Sequence, residues 1–137
     1  MTIKNDIILW DDGANCLCLL SIPSEQQYKN IDGHPCITFG VSYENANFKG
    51  YDTTTLFDRF YNNILNEMKN TYESLNGAFR IYDIGADTDG YIEFVMKDGI
   101  AFIKGQLGAS FSSHSLKFEF QADQTLIGRL IQAIELL

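Results

Sequence analysis

Cys16, Cys18, His34 and Cys36 are the first residues whose types together could do chemistry. Three thiols and an imidazole are a zinc donor set, but the spacing is wrong for one. Alternate residues of a strand sit ~7 Å apart, and a zinc knuckle separates its cysteines by two to four residues. Cys16 and Cys18 therefore read as small apolar side chains of a buried strand, and no metal is expected. His34 and His114 are the only histidines, and each lies in a polar stretch. Neither has a serine or cysteine beside it in a nucleophile motif, so no catalytic residue is nominated. The run KGQLG (104–108) lacks the lysine and hydroxyl pair of a phosphate loop and the dinucleotide fingerprint, so no cofactor is expected.

Acids are the denser signal. Asp83, Asp87, Asp89, Glu93 and Asp98 place five carboxylates within sixteen residues. The run DTDG hints at a calcium loop, but counting from it puts Met96 where the twelfth ligand, a Glu, must stand. Two readings remain for Asp83, Asp87, Asp89 and Glu93: a solvated hairpin end, or an electrostatic docking patch for a basic partner.

The totals limit which partners are possible. Eighteen Asp and Glu stand against ten Lys and Arg, a formal charge of −8. That argues against nucleic-acid phosphate and anionic lipid as partners, because both demand positive charge. At 137 residues and 45% hydrophobic content, one domain with a core of its own is expected. No stretch approaches the ~20 apolar residues of a membrane span. MTIKNDIILWDD has too short an apolar run for a signal peptide, so a reduced cytoplasmic setting is expected.

The elements that must position these residues follow from periodicity. Ile7 to Trp10 and Cys16 to Ile22 read as a hairpin around the turn residues 11–15, its second strand buried on both faces. Residues 23–35 hold both prolines and read as a surface loop. Ile37, Phe39, Val41 and Tyr43 alternate with polar residues, a half-buried strand. Residues 45–52 read as a polar link. Thr53, Thr54 or Thr55 then caps a helix whose apolar stripe runs from Leu56 to Leu75, with Gly77 at its left-handed end.

Strands follow from Phe79, from Tyr91 to Lys97 and from Ile100 to Gln106. The last two are joined by Asp98-Gly99, a two-residue turn that sets Glu93 opposite Lys104. Leu116, Phe118 and Phe120 mark a final strand. Asp123 caps a terminal helix with the stripe Leu126, Ile127, Leu130, Ile131, Ile134 and Leu137. About seven strands joined by hairpins, with a central and a C-terminal helix, make an α+β domain with a mainly antiparallel sheet.

The last third carries a likeness. A "DG-I-F-I-KG" strand, a polar link, and then LKFEFQADQTLIGRLIQAIELL resemble the C-terminal half of the immunity proteins associated with WapI-type polymorphic toxins. The matching positions are Phe118, Glu119, Phe120, Asp123 and Gln124. The likeness covers residues 53–137, and the first 50 residues carry no matching motif. It implies a non-catalytic cytoplasmic protein that neutralises one cognate toxin domain by occluding its active site. Such toxins are often basic nucleases, which suits a −8 inhibitor. An adaptor in another assembly and a small-ligand-binding domain are the alternatives.

Overall fold

The computed structural model describes residues 6–21, 30–31, 34–84 and 89–135. The strands are β1 (Ile7–Asp11), β2 (Asn15–Leu20), β3 (Asn30–Ile31), β4 (His34–Asn45) and β5 (Lys49–Phe57), then β6 (Gly77–Ile84), β7 (Gly90–Lys97), β8 (Ile100–Leu107) and β9 (Leu116–Asp123). Helix α1 (Asp58–Ser74) separates β5 from β6, and α2 (Gln124–Glu135) follows β9. The class is α+β, as the hairpin turns predict. The strands form two sheets, and eight of them have five or more residues. In the first sheet β1 pairs with β2, β2 with β4, and β4 with β5 and, at its first residues, with β3. The second runs β6-β7-β8-β9, and every pairing is antiparallel.

The extra long strand is β5, which sequence reasoning reads as a polar link and a helix cap. Thr53, Thr54 and Thr55 face Gly40, Phe39 and Thr38 across the ladder instead. β-branched residues serve a pleated strand as well as a cap, and the partner strand decides between them. Leu56 is buried from the strand, not from the helix. The helix begins at Asp58 and ends at Ser74. Leu75, with φ 61°, takes the left-handed position expected of Gly77, while Gly77 follows at φ 132°. A side chain on Gly77 would meet Thr71 Oγ1 at 2.9 Å, so its smallness lets β6 leave the helix end.

The β7–β8 hairpin matches its sequence signal. Asp98 and Gly99 both take positive φ, 50° and 83°, as a two-residue primed turn requires. Lys97 pairs with Ile100 and Glu93 with Lys104. Gly99 N donates to Leu75 O at 3.1 Å, tying this turn to the end of α1. At the other end, Asp123 Oδ1 accepts from Thr125 N at 2.8 Å, capping α2 at its second turn position.

One buried cluster draws on both sheets and both helices. Each helix touches both sheets: α1 meets β4, β5 and β6, and α2 meets β1, β8 and β9. Beside them the sheets meet directly, where Tyr43 of β4 stacks on Phe118 of β9 with centroids 4.2 Å apart and planes 6° from parallel. Phe120 extends the stack at 5.8 Å from Tyr43. The Tyr43 hydroxyl donates to Asn15 Oδ1 at 2.5 Å, so its polar end is satisfied inside the core. Both sheets thus turn one face to a shared core and leave another facing out.

Candidate partner-binding face

The outward face of the first sheet is built by register. In one cross-strand row Ile8 pairs with Cys18, Cys18 with Ser42, and Ser42 with Tyr51. The next row is Asp11, Cys16, Glu44 and Lys49. Rows on one face are ~7 Å apart along the strands, so the two rows are adjacent. Between Ile8 and Trp10 the β1 ladder shifts by a residue. This bulge buries Leu9, turns Trp10 to the core, and leaves Ile8 and Asp11 outward.

Ile8 and Tyr51 are each 53% exposed, and Phe48, at the β4–β5 turn, is 62% exposed. Asn45 builds that turn, accepting from Asn47 N and Phe48 N at 3.0 Å each through its side-chain oxygen. The tyrosine lies over bare backbone: a Cβ on Gly40 would come within 2.8 Å of Tyr51 Cε2. Glycine at that point lets the ring lie against the sheet while half of it stays accessible.

Carboxylates surround these apolar groups. Asp11 and Glu44 stand in the neighbouring row, with Asp12 in the β1–β2 turn and Asp6 at the start of β1. Against these four acids stand Lys49, whose Nζ lies 4.0 Å from Glu44 Oε2, and at the β1 edge Arg129, whose Nη1 donates to Leu9 O at 3.3 Å, so the local excess is two negative charges (4 − 2). Asp12 is held ionised by hydrogen bonds. Its largest influence is Asn15 N, donating at 2.6 Å, followed by Trp10 Nε1 at 3.0 Å and Ala14 N at 2.9 Å, and its pKa falls to about 2. An open depression of about 290 Å³ at this end is lined by Asp11, Asn15, Cys16, Glu44 and Asn45 among others.

The cysteines belong to this face. Cys16 and Cys18 are half-buried and point outward, not into a core on both sides as the sequence predicts, because Leu17 and Leu19 take the core positions. Their sulfurs lie 3.6 Å apart. Burial, then the hydrogen bond with Cys18, push the Cys16 thiol up to about 11. At neutral pH it is a protonated thiol and a poor nucleophile. Among the described residues no three His, Cys, Asp or Glu side chains are placed to hold a metal ion.

The four acids predicted as a docking patch fall elsewhere. Asp87 lies outside the described residues, and Asp83 is placed on β6 by its backbone alone. Asp89 precedes β7, is exposed, and commits its carboxylate to bonds within the chain. Its carboxylate accepts from Ser110 Oγ, from Ser110 N at 2.8 Å and from Gln106 Nε2 at 3.0 Å. The Ser110 bonds are the main reason its pKa is lowered. They pin the β8–β9 loop, whose Phe111 is 81% exposed. Glu93 lies on the outer face of the second sheet, opposite Arg80 and Lys104, with Arg80 Nη2 3.8 Å from its Oε2.

Sequence reasoning missed Asp11, Glu44, Ile8 and Tyr51. The usable signal was the β-branched run at residues 53–55: read as part of a strand over 49–57, it faces Tyr51 away from Thr54 and Leu56. No helix among the described residues is long and apolar enough to cross a membrane. No family model, curated protein or solved structure matches this chain.

Proposed function

We propose that this chain is an immunity-type protein that binds a basic toxin domain on the outer face of its first sheet and neutralises it by covering the toxin's active site. The reading joins the likeness of residues 53–137 to WapI-associated immunity proteins with one observation. Exposed Ile8 and Tyr51 stand beside a row bearing Asp11 and Glu44. Apolar anchors with charge at the margin are the arrangement by which interfaces gain affinity, since anchors slow dissociation and charges speed encounter. A chain of net charge −8 draws in basic partners over distances up to a Debye length.

In this role the protein holds its partner and transforms nothing. Cys16, the thiol within the acidic row, is protonated at neutral pH and serves as packing. The acids near it act through charge, and Asp12 keeps its charge throughout the physiological range.

The test is to read the genes flanking this chain's own and to co-express the chain with any toxin domain they encode, scoring survival and measuring affinity of the purified pair. Survival and a stable one-to-one complex are expected. Survival without any physical complex, or a complex whose affinity is indifferent to salt, would remove the proposal.

A further inference from the structure

On the outer face of the second sheet helix α1 reaches only the β6 side, where Asn63, Ile64 and Glu67 line a depression with Arg80, Tyr82 and Glu93, and the charges of this face are arranged differently. Across β6, β7, β8 and β9 the register gives the row Arg80, Glu93, Lys104, Glu119. The signs alternate: plus, minus, plus, minus. On one side lies the row Ala78, Val95, Phe102, Gln121, and on the other Tyr82, Tyr91, Gln106, Lys117. Tyr82 is 60% exposed and Phe102 37%. The Arg80 guanidinium lies 3.9 Å from the Tyr91 ring centre and 5.3 Å from that of Tyr82, so its charge is held in place on the face.

We propose that this face pairs with the same face of a second copy of the chain, related by a two-fold axis parallel to the strands and lying between β7 and β8. Such a rotation reverses each row, setting β6 over the second copy's β9 and β7 over its β8. Arg80 then faces Glu119 and Glu93 faces Lys104, each contact occurring twice, as a two-fold interface requires. In the neighbouring rows Val95 meets Phe102, and Tyr82 meets Lys117, a cation on an aromatic face. A two-fold axis across the strands does worse: it sets the charged row on itself or on the Val95 row. Only the strand-parallel axis gives every charge of the row an opposite partner.

The chain's excess charge does not forbid this contact. Arg80, Lys97, Lys104 and Lys117 stand on the face against Glu93, Glu119, Asp123 and Asp89, whose carboxylate accepts from Gln106 of the same face, so the face is balanced and the negative excess lies elsewhere on the molecule. Strands about 4.8 Å apart and rows about 7 Å apart give roughly 500 Å² per copy. The total of about 1,000 Å² is at the lower end for a specific interface, so the dimer is weak and reversible. The inference stands apart from the toxin-binding reading, which uses the other sheet.

Sedimentation equilibrium of the full chain from about 10 μM to about 1 mM, the range of interfaces this small, tests it. The expected result is a concentration-dependent monomer–dimer equilibrium. Glu119→Lys and Arg80→Glu, each alone, set like charges together twice and are expected to leave only monomer. Mixed in equal amounts, they restore both opposite-charge contacts and form a heterodimer. Circular dichroism melts confirm that each variant folds. Should Arg80→Glu fail to fold, Phe102→Glu, which faces Val95 with a charge, replaces it as the second dimer-breaking variant. A wild-type chain that stays monomeric to 1 mM overturns the proposal, as do folded variants that still dimerise alone. Loss of toxin neutralisation by Glu119→Lys with a monomeric wild type would assign the face to the toxin instead, and equally overturns it.

Discussion

On the first sheet the outward row Asp11, Cys16, Glu44, Lys49 carries two acids and one base, with Asp12 in the adjoining turn and Asp6 at the far end of β1. On the second, Arg80, Glu93, Lys104, Glu119 alternates in sign across all four strands. The two faces share one core and similar exposed apolar content, yet their fields differ. An unbalanced face attracts a partner of opposite sign and repels its own copy. A balanced, alternating face matches itself. On the two proposed readings, charge order across a sheet, more than charge total, separates a surface for a foreign protein from one for a second copy.

The two faces are independent only while the core between them is intact, so the largest expected effect lies there. Phe118→Ala removes the ring stacked on Tyr43 and leaves a cavity between the sheets. A loss of about 3–5 kcal/mol in denaturant unfolding is expected, with both faces losing function together. Next, Ile8→Ala with Tyr51→Ala should weaken toxin binding by about 2 kcal/mol or more, roughly thirtyfold, through faster dissociation. Stability should change little, since both side chains are half exposed. A variant that binds normally would detach the anchors from the interface.

Charge reversal separates the faces more finely. Asp11→Lys with Glu44→Lys should slow association about tenfold or more at low salt and flatten its salt dependence. Reversal of Asp89 and Glu93 should leave association nearly unchanged and instead loosen the β8–β9 loop and the Arg80 contact. If the second pair slowed association and the first did not, the docking patch would lie where the sequence alone first places it. Asp123→Ala is a smaller and purely structural change. Losing the cap on Thr125 N should cost about 1 kcal/mol of stability with no effect on toxin binding.

The pH dependence follows from depressed carboxylates. The hydrogen bonds lower Asp12 from 3.8 to about 2 in the fold, so its contribution is whole above about pH 5 and is lost as pH falls toward 2. Asp89 shifts in the same direction, through Ser110. Stability should therefore be flat from these groups between pH 5 and 7. Acid titration by NMR should show the β1–β2 turn loosening only below about pH 4.

Local signals made much of the fold legible. Asp98-Gly99 fixes a hairpin whatever surrounds it, and Asp123 with the Leu126–Ile134 stripe fixes the start and the buried side of α2. β5 was not legible, because threonines at 53–55 satisfy both a helix cap and a pleated strand, and pairing with β4 chose the strand. The division into two sheets also escaped, since the contact of Tyr43 with Phe118 joins residues far apart in sequence. For the same reason the acidic face was hidden. Ile8, Cys18, Ser42 and Tyr51 become neighbours only through three strand pairings, while Asp83, Asp87, Asp89 and Glu93 are close merely in the chain.

The most direct test is amide chemical-shift mapping of the labelled chain titrated with the basic toxin domain. Perturbed amides should concentrate on β1, β2, β4 and β5, centred on Ile8, Cys18, Ser42 and Tyr51. Perturbation confined to β6–β9, or none at saturating toxin, would contradict the account.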